Sequence, residues 1–447
     1  MAGQRAAGSV VANRMGRQCA TVSASPTAVR RVLPRGTLQV GAGLVVLGAA
    51  SYVYLAVAAR TLSPQRFGEI SVLYSLVYTA GPGFFLPVEQ ELARGLADRR
   101  ARGQGGGPLV RLATLLSGVY AAALVAVVLA TGPITVPRLF DGSWGLLGCL
   151  ALAVVGLWAI YLSRGVLAGA GRFGDYGGQL GIEGGTRIVA VVILAAAGVT
   201  GVVAYGLTIG GALLVAVLLT IRPTLHAVQP TDSLVSPAAD AQELSTAFGW
   251  MLVGSVLAQA LVNAPPVAAK LLAHGSDSVA AGQVLTGTVL ARLPLFAFAA
   301  VQAALLPGLA ALLATGDRNG FVRGMTRLLF AAGVVTAGAT IVAATVGQDL
   351  LHLFFGDRYN LGNHVLMQLA LASGIYMGAV IAGQSLLALR RYRGAAAGWA
   401  VGAAAFVVVA IVGEGVITRV VDGFLIGTVA AAAALGLVLV RQVRSMP

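Results

Sequence analysis

The 447-residue chain has one lysine (Lys270), two cysteines, four histidines and only 10% charged residues. Each shortage excludes something. A soluble domain carries about 25% charged residues, so a water-soluble surface of this size cannot be coated. The lone lysine is followed by Leu271, whereas a Walker A motif needs Lys followed by Ser or Thr; the chain has no ATPase motif of that kind. Cys19 sits in a polar tail and Cys149 in an apolar run, which supplies neither a disulfide framework nor a zinc set. His226, His274, His352 and His364 are scattered, and no Asp-x-Asp pair is present. No metal and no cofactor is expected.

Apolar residues make up 57% of the chain, alongside 60 glycines. Residues 1–35 carry six arginines and no apolar periodicity. They read as a disordered basic cytoplasmic tail, within which Met15 offers an alternative start. A membrane-spanning helix needs about 20 mostly apolar residues. Such stretches fall at 38–59, 69–92, 110–131, 144–167, 177–198, 201–221, 246–271, 280–305, 324–346, 363–388, 395–413 and 419–440. The expectation is an all-α integral membrane protein with about 12 transmembrane helices. The longest internal polar stretch, 222–245, divides it into six-helix bundles over 36–221 and 246–440, and 441–447 forms a C-terminal tail.

The net charge of +14 is mostly a topology signal. With the N-terminus inside, alternate loops place twenty-two basic residues inside and six outside. Cytoplasmic loops carry the excess of Lys and Arg, so both termini are expected in the cytoplasm and the protein in the cytoplasmic membrane. The inner arginines are expected to meet anionic lipid heads. Basic residues strung along many loops give no nucleic-acid domain.

The halves repeat. Val88–Gly103 aligns without gaps on Val301–Gly316, and the glycine ladder Gly177, Gly181, Gly185 corresponds to Gly394, Gly398, Gly402. An Arg–aromatic pair precedes each ladder, Arg172-Phe173 and Arg391-Tyr392. Six helices per unit make the repeats parallel, and transporters build a central cavity from such halves. Helix two is interrupted by Pro82 and Pro87 and helix eight by Pro294. Broken helices in corresponding positions point to a transport site, although prolines also simply bend packed helices.

Ala59–Gly68 (ARTLSPQRFG), Arg164–Phe173 (RGVLAGAGRF), Glu183–Arg187 (EGGTR), and Arg292–Phe296 (RLPLF) with Leu306-Pro307 resemble segments of polysaccharide-biosynthesis flippases. These are the Wzx-type branch of the multidrug/oligosaccharidyl-lipid/polysaccharide (MOP) exporter superfamily. The resemblance implies a transporter moving a polyprenyl-pyrophosphate-linked oligosaccharide outward by alternating access. It also implies contact with membrane lipids and with polysaccharide polymerase or glycosyltransferase machinery. The long basic tail and the scarcity of lysine depart from the family.

An ionisable group in mid-membrane usually faces a wet cavity or a partner. Glu183 and Arg187 are four apart on one helix face and can pair; they are expected to face the cavity, or else to tie two helices together. The Gly177–Gly185 ladder, on the opposite face, is expected against a neighbouring helix. Arg292 lacks a local partner. It is either a cavity cation suited to phosphate or a partner of Glu89 or Glu91. Arg60 and Lys270 end helices one and seven on the outer side, as snorkelling residues or as ligands at the outer mouth. The alternatives in function are a drug exporter of the same superfamily, and a polytopic glycosyltransferase or polymer ligase. The latter needs a sizeable outer loop, and the outer loops are short.

Overall fold

A computed structural model describes residues 37–228, 237–273, 279–293 and 317–445. Every regular element among them is helical: α1 (Thr37–Thr61), α2 (Pro64–Ala80), a π-helical turn (Gly81–Phe85), α3 (Leu86–Ala101), α4 (Gly107–Ala130), α5 (Gly132–Leu139), α6 (Trp144–Gly169), α7 (Phe173–Ala196), α8 (Val202–Leu219), α9 (Ile221–Ala227), α10 (Pro237–Leu272), α11 (Ala280–Ala291), α12 (Arg318–Phe355), α13 (Gly362–Ala388), α14 (Tyr392–Val412) and α15 (Val416–Arg444). Eleven helices among these residues are long and apolar enough to cross a membrane, with α2, the π turn and α3 counting as one. The expected eighth span, 280–305, is described only to Leu293, where α11 forms its first part. Pro294, Pro307 and the 301–316 side of the repeat lie outside the described residues.

Local chemistry sets the helix ends. Ser63 caps α2 by accepting from the Arg66 amide at 3.4 Å, and Pro64 occupies the start of the helix, where a missing N–H costs nothing. The interruption expected at Pro82 takes a definite form. With no N–H at Pro82, the chain widens and the Leu86 amide bonds back to the Gly81 carbonyl. That leaves the Pro82 carbonyl free, and Ser255 of α10 donates to it at 2.7 Å. Pro87 falls in the first turn of α3, where it is tolerated. The 222–245 stretch is more helical than expected: it contains α9 and the start of α10. α12 is longer than its expected 324–346 span; its 38 residues measure about 57 Å at 1.5 Å each.

The apolar interior forms two principal clusters. One is centred on Tyr54, Phe67, Leu146, Val191 and Tyr205. The other is drawn mainly from α10 and α13–α15, around Leu261, Trp399, Phe424 and Leu435, with Ala291 of α11 joining it. The outside is apolar as well: Leu115, Phe330 and Ile411 are all exposed, as a lipid-facing surface requires.

The α6–α7 and α13–α14 turns share one backbone conformation. Ala170 and Leu389 have φ/ψ of −78/−3 and −79/5. Gly171 and Arg390 follow with φ of +70 and +57. Arg172 and Arg391 then open the next helix at −88/58 and −95/54. The Arg172 amide reaches the Leu167 carbonyl and the Arg391 amide the Leu386 carbonyl, each at 2.8 Å, the backward bond of a Schellman-type helix end. The two Arg–aromatic pairs noted in the sequence are thus equivalent positions of the repeat.

The ladders that follow are used differently. In α14, a Cβ at Gly394, Gly398 or Gly402 would press on Val438, Leu435 or Ala431, so all three glycines seat α14 against α15. In α7, only Gly177 lies against α1, where a Cβ would meet the Gln39 carbonyl at 2.4 Å; Gly181 and Gly185 face open space. Gly184 makes the second close approach to α1, against Ala50 and Leu47. The expected spacing of four is replaced by seven residues, two full turns, which keeps both glycines on one face.

Candidate functional site

The charged residues separate into three groups. The first is a buried network inside the N-terminal half. Glu183, Arg187 and Arg164 are only 4%, 2% and 5% exposed. Glu183 accepts from Arg187 at 2.7 Å and, on its other oxygen, from Arg164 at 2.6 Å. Arg187 also donates to Tyr78 Oη at 2.8 Å and Ser51 Oγ at 3.3 Å. Glu89, also buried, accepts from Tyr176 Oη at 2.7 Å, and Tyr176 in turn lies under the Arg164 guanidinium. Two arginines and two carboxylates thus occupy one region. A buried pair has to balance its desolvation with good geometry and further hydrogen bonds, and both are present. The expected Glu183–Arg187 pair therefore forms, but in the bundle interior and not facing the cleft described below. Sequence reasoning gave Arg164 no role in this network, and it considered Glu89 as a partner for Arg292.

The second group lies where the halves meet. Arg292 donates to Asn263 Oδ1 at 3.0 Å and to the Val262 carbonyl. Its Nε has no hydrogen-bond partner among the described residues. Glu89 is engaged with Tyr176 and Glu91 with Arg94 at 2.7 Å, so neither acid serves Arg292. Asn263 donates to the Gln259 carbonyl one turn earlier at 3.0 Å. Gln259 lines a cleft of about 100 Å³ between α3 on one side and α10, α13 and α14 on the other. The cleft lining includes Gln90, Trp250, Ser255, Gln259, Tyr376, Gln384 and Trp399, and no acidic or basic side chain. Arg292 does not line the cleft and is linked to it through Asn263 and the Gln259 backbone.

The third group joins the halves at the end assigned to the outside by the arginine count. Arg60 donates to the Leu353 and Phe354 carbonyls, at the C-terminus of α12, where a cation is favoured. Arg358 reaches the Leu62 carbonyl at 3.4 Å, and Tyr359 Oη donates to the Ala59 carbonyl at 3.2 Å. Burial pushes the Tyr359 phenol above its ordinary pKa. Lys270 pairs with Asp141 at 2.7 Å. Arg60 and Lys270, expected as snorkelling residues or ligands, are thus both engaged in links between the halves.

No protein-family model matches the chain. It is 24% identical over 403 residues to an uncharacterized protein of Mycobacterium tuberculosis (strain ATCC 25618 / H37Rv), covering 88% of this chain and 89% of the relative. A second uncharacterized protein of that strain is 26% identical over 409 residues, with the same coverage. Among solved structures, a multidrug resistance MATE family transporter of the MOP superfamily in an inward-facing conformation matches with a TM-score of 0.68 at 12% identity, over 94% of this chain and 99% of that one. A MATE transporter of Vibrio cholerae gives 0.66 at 15% identity, over 94% and 98%. A MOP superfamily transporter from Pyrococcus furiosus, described as having a binding pocket of reverse polarity that suggests a different function, gives 0.65 at 11%, over 92% and 96%. The chain is a multi-pass membrane protein. Its fold is that of the MATE transporters of the MOP superfamily.

Proposed function

We propose that this protein moves a lipid-linked oligosaccharide from the inner to the outer leaflet of the cytoplasmic membrane by alternating access, with both termini cytoplasmic. The fold of its structural neighbours supports a transporter in preference to an enzyme. The observation that carries the substrate reading is Arg292. This guanidinium is aligned by Asn263 and Val262, has no carboxylate partner among the described residues, and is linked through Asn263 to a neutral cleft rich in amides and aromatics. An arginine fork suits the oxygens of a pyrophosphate. Amide side chains offer both donors and acceptors to sugar hydroxyls, and Trp250 and Trp399 contribute to the lining. The links at the outer end and the cleft toward the other end support an inward-open state, in which substrate enters from the cytoplasmic side. Polymerase and glycosyltransferase machinery are the partners this role implies.

The second reading is a multidrug exporter. It is favoured by the multidrug transporters among the structural neighbours and disfavoured by a cleft without an acidic residue to attract cations. Reconstitution of the purified protein in liposomes separates the two. Accelerated transfer of a polyprenyl-pyrophosphate-linked oligosaccharide, with no movement of a cationic dye, is the expected result. Movement of the dye alone would replace this reading with the exporter.

A further inference from the structure

A second pocket lies away from the cleft and shares none of its lining. It has a volume of about 180 Å³ and sits between the end of α3, the α6–α7 turn and α9. Its polar lining is Arg100, Gln104, Arg172 and His226, and no carboxylate lines it. Its floor is built by close approach. A Cβ at Gly169 would meet Leu96 at 2.6 Å, and one at Gly106 would meet Leu96 at the same distance. Both arginines are fixed in place. Arg100 donates to the Ala170 carbonyl; Arg172 donates to Asp175 at 2.7 Å and to the Pro223 carbonyl at 2.8 Å. Each guanidinium carries five N–H donors, so each keeps others for a ligand.

The surroundings are apolar and exposed. α9 buries none of its residues, and its Leu225 is 64% exposed. Leu218 and Leu219 at the end of α8, and Leu115 and Leu116 on α4, are likewise exposed. The pocket therefore sits where a lipid-facing surface meets a basic helix end. On the arginine count, this is the cytoplasmic end.

We infer that this pocket binds the phosphate headgroup of an anionic phospholipid, with its chains lying along the exposed faces of α4 and α8. Basic pockets between transmembrane helices on the cytoplasmic side recognise such headgroups. The site is separate from the transport cleft, and its test does not depend on what the cleft carries.

The test is native mass spectrometry of the full-length protein titrated with phosphatidylglycerol, with phosphatidylcholine as the neutral lipid. The R100Q/R172Q variant should bind phosphatidylglycerol about thirtyfold more weakly than wild type, at roughly 1 kcal/mol per arginine. R102Q should bind normally, because Arg102 is outside the pocket and pairs with Asp98. R100K/R172K, which keeps the charge, should retain most of the affinity and guards against misfolding as the cause. An equal loss in R102Q, or no loss in R100Q/R172Q, would overturn the site. Displacement of the lipid by inorganic phosphate at matched concentration would overturn the assignment to a lipid.

Discussion

Arg164 meets Glu183 at 2.6 Å, joining α6 to α7 with both side chains about 6% exposed, and Arg187 holds the opposite oxygen of the same carboxylate. Glu183 is therefore the shared anion of two buried cations. Removing one partner of a buried ion pair leaves an uncompensated charge and costs about 3–5 kcal/mol. Glu183→Ala should lower the melting temperature of detergent-solubilised protein more than Arg187→Ala, since the latter leaves the Arg164 pair in place. The reverse order, or no change, would show that the network does not hold the N-terminal half together.

The two glycine ladders predict opposite effects of one substitution. A Cβ at Gly398 would lie 2.5 Å from a Leu435 methyl carbon, whereas one at Gly181 meets nothing within 4 Å. Gly398→Ala should destabilise by about 1–3 kcal/mol through overpacking. Gly181→Ala should be neutral, or stabilising by up to about 1 kcal/mol, because alanine is the better helix former. Thermal melting of both variants checks the pair, and equal behaviour would contradict the assigned packing.

Pro82 shapes the helix that lines the cleft. Restoring its N–H in Pro82→Ala removes a helix-breaking residue worth about 3 kcal/mol in a regular helix. The variant should keep or gain thermal stability while transport falls at least about tenfold, which is roughly 1.4 kcal/mol, as the π turn straightens and the Ser255 bond to the Pro82 carbonyl is lost. Full transport in a stable variant would remove the kink from the mechanism.

Lys270 and Asp141 link the halves at the end that the arginine count assigns to the outside. Asp141 is half exposed, and a pair of this kind contributes about 1 kcal/mol or less. Lys270→Ala should therefore raise the outward-open population by a factor of about two to five. The readout is labelling by an impermeant maleimide, added outside, of Gln259→Cys in the cleft lining in a background lacking Cys19 and Cys149. Unchanged labelling would show that the pair does not contribute to closure.

Much of this arrangement was legible in the sequence because hydrophobic length and arginine spacing are one-dimensional signals. The spans, the interruption at Pro82 and the Glu183–Arg187 pair all rest on spacing within one helix. What escaped depends on partners far apart in the chain. Arg164 has no visible partner until α6 is placed beside α7. Arg60 and Lys270 look like snorkelling residues until their partners, the Leu353 and Phe354 carbonyls and Asp141, are brought to them by the other half. The α7 ladder misled because its spacing of four resembles that in α14, while the helix it meets selects Gly177 and Gly184. The amide lining of the cleft carries no motif, since Gln90, Gln259 and Gln384 come from three helices.

The central claim is that Arg292 engages the phosphate end of the substrate, and the most direct test is the initial rate of oligosaccharide-lipid transfer by Arg292→Ala in proteoliposomes. A hydrogen bond to a charged group contributes about 1.5–3 kcal/mol, so the rate at subsaturating substrate should fall about ten- to hundredfold. The melting temperature should change little, because only Asn263 Oδ1 and the Val262 carbonyl, both neutral acceptors, lose a donor. A wild-type rate in a well-folded Arg292→Ala protein would contradict the account.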